Sequence, residues 1–596
     1  MLQNLAFTIE NLKNAYKNGL SPQDVINEIF DRIKIINDPN IFINLLTLEN
    51  LNAEAKKLGK YNPNMPLWGI PFAVKDNIDV NKIMTTAGCP EFSYIAKDDA
   101  FTVNLLKKAG ALMIGKTNLD QFATGLVGVR SPYGAPLNAV DPLIVPGGSS
   151  SGSAVSVGHG IVSFSLGTDT AGSGRVPAAL NNIVGLKPSL GSLSASGVVP
   201  ACRTIDTVSV FAMTVEDAFN VFTLLNNYDE KDSYSKPFKK LPLSLPQTSM
   251  KIGIPDKSSI RFFDDNFQSE NFESNIDKLK LYGFEILPIN FEPFYEIAHL
   301  LYEGSWVAER YTVIEDLLKK NPKAIHNVTR QIIQKAENFS AADTFKDYYQ
   351  LSKLKRKITP ILTSVKMLCV PSIPTFYSVK DLEVDPITPN SNLGTYTNFV
   401  NLLDMCGITV PTDPRKDGRP GSITLLGMSG YDNIVASTAI LFEKNCNRFL
   451  GGTKFKLEKP NDLQENNNSY LDIAVCGAHM EGLSLNWQLK DLGAQFVQKS
   501  KTSSYYNLFA LTNLNPVRPG LLRSLNQSGN AINLEIWRMP KKNFGEFIEY
   551  IQPPLSIGSI ELEDGKWIKG FLCEKSGTVD AKDISKIGDW REYIKV

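Results

Sequence analysis

The sequence predicts an α/β protein: a large domain built around a sheet buried on both faces, followed by a small β-rich domain. Three observations carry this expectation. Helical periodicity dominates the start of the chain, short apolar runs alternate with helix-length segments from about residue 66, and a charged, Asn-rich break separates that texture from a closing set of strand-like segments. The length of 596 residues also exceeds what one hydrophobic core usually supports.

At the N-terminus, apolar residues recur at helical spacing through Leu12. Ser21-Pro22-Gln23-Asp24 then supplies an N-cap, a first-turn proline and a capping-box acid before Val25, Ile26, Ile29, Phe30 and Ile33. The runs GIPFAV (69–74), ALMIG (111–115), IVSFSLG (161–167), VSVFAMT (208–214), KIGIP (251–255) and KMLCVPSIP (366–374) are continuous and short, as strands covered on both faces are. Residues 456–470, KLEKPNDLQENNNSY, read as a surface linker, which divides the chain into domains at 1–455 and 471–596. Beyond it LDIAVCGAH, AINLEIWRM and SIELEDGKWIKGFLCE read as strands, the last a hairpin with Asp564-Gly565 in a type I′ turn. No repeat of fixed period is visible.

Composition narrows the partners. Lys+Arg of 62 against Asp+Glu of 62 removes the electrostatic footprint of a nucleic-acid or anionic-membrane binder. Seven scattered cysteines without CxxC spacing speak against structural zinc or a disulfide framework. No apolar stretch reaches signal-peptide or membrane-spanning length, so a cytoplasmic protein is expected.

Three glycine-bracketed stretches could carry chemistry: Lys75 in GIPFAVKDN, Ser149 in PGGSSSGS and Ser173 in GTDTAGSGR. A serine hydroxyl is a poor nucleophile until a neighbour takes its proton, and a lysine buried enough to lose its charge can begin that transfer. Small residues around Ser173 let backbone N–H groups converge on a reacting carbonyl oxygen, with Thr170, Ala171 and Gly172 as the oxyanion-hole candidates. Each feature has an ordinary reading too: a linker, a turn, a lysine capping a strand and reaching water. The tract also fits the G-x-S-x-G elbow, although Pro146 stands where that fold wants a strand. Residues 110–117, GALMIGKT, satisfy the Walker A expression, but the intervening Ala, Leu, Met and Ile read as the strand itself.

Together the stretches resemble the amidase-signature family, whose hallmark is a Ser-cisSer-Lys triad inside a glycine-rich core. The resemblance covers roughly residues 60 to 450. It implies a large αβα domain with a mostly parallel mixed sheet, Lys75 as base, Ser149 as bridging serine and Ser173 as acylated nucleophile, with no metal and no cofactor. Ser151 departs from the family glycine and leaves open which hydroxyl bridges. LYEGSWVAERY (301–311) and PNSNLGTYTNFVNLLDMCGI (389–408) look like allophanate hydrolases, which implies Tyr302, Arg310 and Gly125 as substrate residues, Arg310 on a carboxylate. On one helix Tyr302 and Arg310 would stand about 12 Å apart along the axis. The tail, with AVCGAHMEGLSLNWQL, resembles the small β-rich α+β C-terminal domain of the same enzymes, thought to help decarboxylate N-carboxycarbamate, with His479 as its acid/base group. The implied substrate is allophanate. A urea carboxylase partner and a homodimer are compatible with the resemblance, and other amidases of the family, or a non-catalytic scaffold, are the competing readings.

Overall fold

The computed structural model describes residues 2–244, 250–457, 470–524 and 529–595. Most of the expected linker, 458–469, lies outside the described residues. The chain divides into two compact units, Met1–Lys240 with Thr248–Glu458, and Leu241–Gln247 with Lys459–Val596.

Helices open the first unit. In α1 (Ile9–Lys17) the Thr8 hydroxyl accepts from the Asn11 N–H, and α2 (Pro22–Ile36) starts with the full capping box of Ser21 and Asp24 and with Pro22 in its first turn. The apolar runs become strands of one eleven-stranded sheet: β1 (Phe42–Leu45), β2 (Pro71–Lys75), β3 (Leu112–Thr117), β4 (Phe164–Asp169), β5 (Val184–Lys187), β6 (Thr207–Ala212), β7 (Lys251–Pro255), β8 (Glu285–Ile289), β9 (Met367–Pro371), β10 (Met405–Pro411) and β11 (Ser422–Met428). Their order across the sheet is β1-β3-β2-β4-β6-β5-β10-β11-β9-β7-β8. Every residue of β2, β3, β4 and β6 is buried, so both faces are covered, which explains runs without polar alternation.

The sheet is mixed, and the mostly parallel arrangement does not hold. Only β2–β3, β2–β4, β7–β8 and β7–β9 pair parallel, while the other pairs are antiparallel. The cause is local: β10 and β11 form a hairpin, and β6 returns antiparallel between β4 and β5. Strand direction depends on connections that apolar runs do not encode. The Walker-like segment is β3, with Lys116 inside the strand and 3.1 Å from the Asp76 carboxylate, both fully buried.

In the second unit β12 (Tyr470–Val475), β13 (Gln495–Lys501), β16 (Asn533–Pro540), β17 (Leu555–Glu561) and β18 (Trp567–Cys573) form a five-stranded sheet in the order β13-β16-β12-β18-β17. A three-stranded sheet joins β15 (Arg518–Arg523), β14 (Tyr506–Leu511) and β19 (Lys582–Asp583). Ile473, Val475, Leu508, Leu521, Trp537 and Phe547 lie in their common core. The β17–β18 hairpin is present, but only Gly565 has positive φ (82°) and its N–H bonds to the Leu562 carbonyl. A four-residue turn with glycine in the left-handed region therefore replaces the expected type I′ turn, which needs positive φ at Asp564 as well.

Candidate active site

Lys75 closes β2, the strand held between β3 and β4, and its side chain is wholly buried. Its amine lies 2.8 Å from the Ser149 hydroxyl and 2.7 Å from the Thr168 hydroxyl near the end of β4. Burial lowers the Lys75 pKa from 10.5 to about 7; the carboxylates of Asp120, Asp206 and Asp169 pull it upward, and the Arg310 charge pushes it down. The inward alternative is the one realised.

Ser149 precedes α3 (Ser151–Gly158), and the Gly148–Ser149 peptide is cis. Its carbonyl accepts from the Asp120 N–H at 3.0 Å. Glycine at 148 is a matter of space: a Cβ there would fall 2.0 Å from an Asp120 carboxylate oxygen. The neighbouring hydroxyls are occupied elsewhere, Ser150 with the Thr168 carbonyl and Ser151 with the Asn118 carbonyl. Of the serine run, only Ser149 meets the lysine.

Ser173 sits in the loop after β4 and is 3% exposed. Asp169 organises this loop, its two oxygens accepting from the Gly172 and Gly174 N–H groups at 3.0 and 2.9 Å while Arg175 forks onto the same carboxylate at 2.9 Å. Arg175 and Asp169 are both wholly buried. The Ser173 hydroxyl makes no hydrogen bond to the described residues, so the expected contact with the Ser149 hydroxyl is not formed in this structure, and the lysine meets Ser149 alone of the two. Gly172 departs from the expectation because its N–H is taken by Asp169. The N–H groups of Thr170, Ala171 and Ser173 donate to no acceptor among the described residues.

Tyr302 and Arg310 do not share a helix. Tyr302 belongs to the helix Glu292–Glu303 and Arg310 to α4 (Val307–Lys320), and the break at Gly304–Trp306 lets the Arg310 guanidinium reach the Tyr302 hydroxyl at 3.3 Å. Arg310 is 2% exposed, donates to the Ala123 carbonyl and the Thr124 hydroxyl, and its Nε has no hydrogen-bond partner. No carboxylate of the described residues lies within ion-pair distance of it. Burial alone would lower its pKa, but Tyr302, Cys202, Asp206 and Glu309 together raise it, so the cation persists. Gly125 follows Thr124, and a Cβ there would come 2.5 Å from Asp120.

In the second unit His479 is buried, stacked on Phe571 at 4.8 Å, with Nε2 2.8 Å from the Gln488 side-chain oxygen. Burial pushes its pKa down from 6.5 to about 4. It lines a small pocket with Arg518, whose Nε is buried without a partner, Gly477, Ala478 and Phe571.

Sequence reasoning missed Thr168, Asp206 and Asn401. Asp206 accepts from the Thr170 hydroxyl at 2.5 Å and from the Ala201 and Cys202 N–H groups, and Asn401 bridges the carbonyls of Asp169 and Ile205. Their only local signal is polarity inside otherwise apolar runs, which fits many roles.

The amidase family profile matches residues 24–435, and the profile of the allophanate hydrolase C-terminal domain matches residues 471–595. The chain is 40% identical over 611 residues to the urea amidolyase of Saccharomyces cerevisiae, covering 99% of this chain and 33% of that protein. It is 43% identical over 573 residues to the urea amidolyase of Lachancea kluyveri, covering 93% of this chain and 31% of that one. The chain thus spans about a third of the length of these curated relatives. Among solved structures, the allophanate hydrolase of Kluyveromyces lactis superposes with a TM-score of 0.76 at 39% identity, over 99% of both chains.

Proposed function

Because the chain belongs to the amidase family and ends in a domain of the allophanate hydrolase type, we propose that it hydrolyses allophanate to ammonia and carbon dioxide. The observation that carries the substrate is Arg310: a buried guanidinium with no carboxylate partner, whose charge is felt by Lys75. An anionic amide supplies the missing partner.

In this reading neutral Lys75 takes the proton of Ser149, which takes the proton of Ser173 as that oxygen attacks the carbamoyl carbon. The N–H groups of Thr170, Ala171 and Ser173 receive the oxyanion. The proton returns along the relay to the departing nitrogen, which leaves as ammonia, and water repeats the path to release N-carboxycarbamate. His479, neutral near pH 7, and Arg518 would then act on that product in the second unit, where protonation and loss of one carbon dioxide leave carbamate, which breaks down to the second ammonia and the second carbon dioxide. The same reading puts the reaction in the cytoplasm, next to a urea carboxylase that makes the substrate.

The test is ammonia release from allophanate and from simple uncharged amides by the intact chain, Ser173→Ala and Arg310→Ala. Allophanate turnover lost in both variants supports the proposal. Turnover of uncharged amides that ignores Arg310, without allophanate activity, favours another amidase of the family.

A further inference from the structure

Two loops and one helix must be held in register if a carboxylate on Arg310 is to present its amide to Ser173. The Ser173 loop and the 200–206 loop are already joined, through the Thr170 hydroxyl on Asp206 and through Asn401, whose amide donates to the Asp169 carbonyl at 2.8 Å and the Ile205 carbonyl at 2.9 Å. What joins that pair of loops to α4 is Glu309, the residue before Arg310. One Glu309 carboxylate oxygen accepts from the Thr204 N–H at 2.9 Å and the other from the Thr204 hydroxyl at 2.5 Å. A two-point, charge-assisted bond of this kind restrains both distance and rotation. The remaining hydrogen bond between loop and helix entrance is weak, the Cys202 thiol 3.7 Å from the Trp306 carbonyl, beside non-directional packing of Cys202, Ile205 and Trp306 in one buried cluster. The Trp306 side chain makes no N-cap hydrogen bond, so Glu309 is also the charged group that the N-terminal turn of α4 offers to the loop.

We infer that Glu309 is a positioning residue for substrate selection: its bond to Thr204 sets the distance between the Arg310 guanidinium and the Ser173 loop, and so confers the preference for amides bearing a carboxylate. The inference rests on the reading of Arg310 given above. Glu309 need not touch the substrate. Its effect belongs to substrates that use Arg310 and not to reagents that use the triad alone.

The experiment compares the full chain with Glu309→Ala, Glu309→Gln and Thr204→Val, reading KM and kcat for allophanate and the rate at which a small fluorophosphonate labels Ser173. Glu309→Ala, which removes both bonds to Thr204, is expected to raise KM about ten-fold, with a smaller change in kcat and an unchanged labelling rate. Glu309→Gln, which keeps an acceptor for the Thr204 N–H, should recover most of the loss, and Thr204→Val should match Glu309→Ala in direction. An unchanged KM in Glu309→Ala, or parallel losses in turnover and labelling, overturns the inference. Failure of the unsubstituted chain to hydrolyse allophanate overturns the functional reading first, and this inference with it.

Discussion

The amine of Lys75 and the hydroxyl of Ser149 face each other at 2.8 Å in complete burial, from residues 74 positions apart in the chain. Because burial lowers the lysine pKa to about 7, the base is neutral above that value and protonated below it. The rate of acylation should therefore rise with pH through a single limb near 7. In Thr168→Val the amine loses a hydrogen-bond acceptor that favours its charged form, so the limb should move to lower pH while kcat falls; Thr168→Ser should keep the original limb. A pH–rate profile of the three proteins checks this.

Lys75 has a cost in stability. Between about pH 7 and 10.5 the unfolded chain carries a proton on this lysine that the folded chain lacks, so its contribution to stability rises with pH across that window and is least favourable below it. Lys187, also buried and lowered to about 8, titrates over part of the same range, so the comparison must be between proteins differing at position 75 alone. Lys75→Met should abolish turnover while leaving the melting temperature at pH 7 equal to or above that of the unsubstituted protein. Thermal melts at pH 6, 7 and 9 test the sign.

Arg310 should act on substrates according to charge. Arg310→Ala is expected to lower kcat/KM for allophanate by roughly 10–100-fold, the range for a lost bond to a charged group, and Arg310→Lys to restore only part, since an ammonium cannot fork onto a carboxylate. Steady-state kinetics on allophanate and on a neutral amide check the split.

Asp169 should prove structural and catalytic at once. Its carboxylate takes both N–H groups flanking Ser173 and the fork of Arg175, all in full burial. Asp169→Asn leaves Arg175 buried without its counter-charge and should cost about 3–5 kcal/mol of stability. Denaturant unfolding gives the magnitude, and activity should be lost even where the protein remains folded.

His479→Ala should separate the two chemical steps. The first ammonia comes from the Ser173 site and is expected at the normal rate, whereas release of carbon dioxide should lag behind it. Stopped-flow detection of both products distinguishes this from a variant that is slow throughout.

Much of this site was legible because its chemistry demands particular residue types side by side. The glycines at 147 and 148, the serine run and the Asp169–Arg175 segment each declare themselves locally. The capping box at Ser21 and the buried strands were readable for the same reason. What depends on distant partners was not. Thr168 looks like any threonine in a strand, and the Gly172 N–H gives no sign in sequence that Asp169 will claim it. Tyr302 and Arg310 meet because the helix breaks at Gly304, which converts a separation along one axis into a contact across a bend. Strand direction was lost likewise: an apolar run reports burial, and only the connections decide which way it points.

Labelling by a fluorophosphonate, followed by peptide mapping, tests the relay most directly. The account predicts a single adduct on Ser173, absent in Ser173→Ala and formed far more slowly in Lys75→Ala and Ser149→Ala. An adduct on Ser149, or labelling of Ser173 that proceeds at the same rate without the lysine, would contradict it.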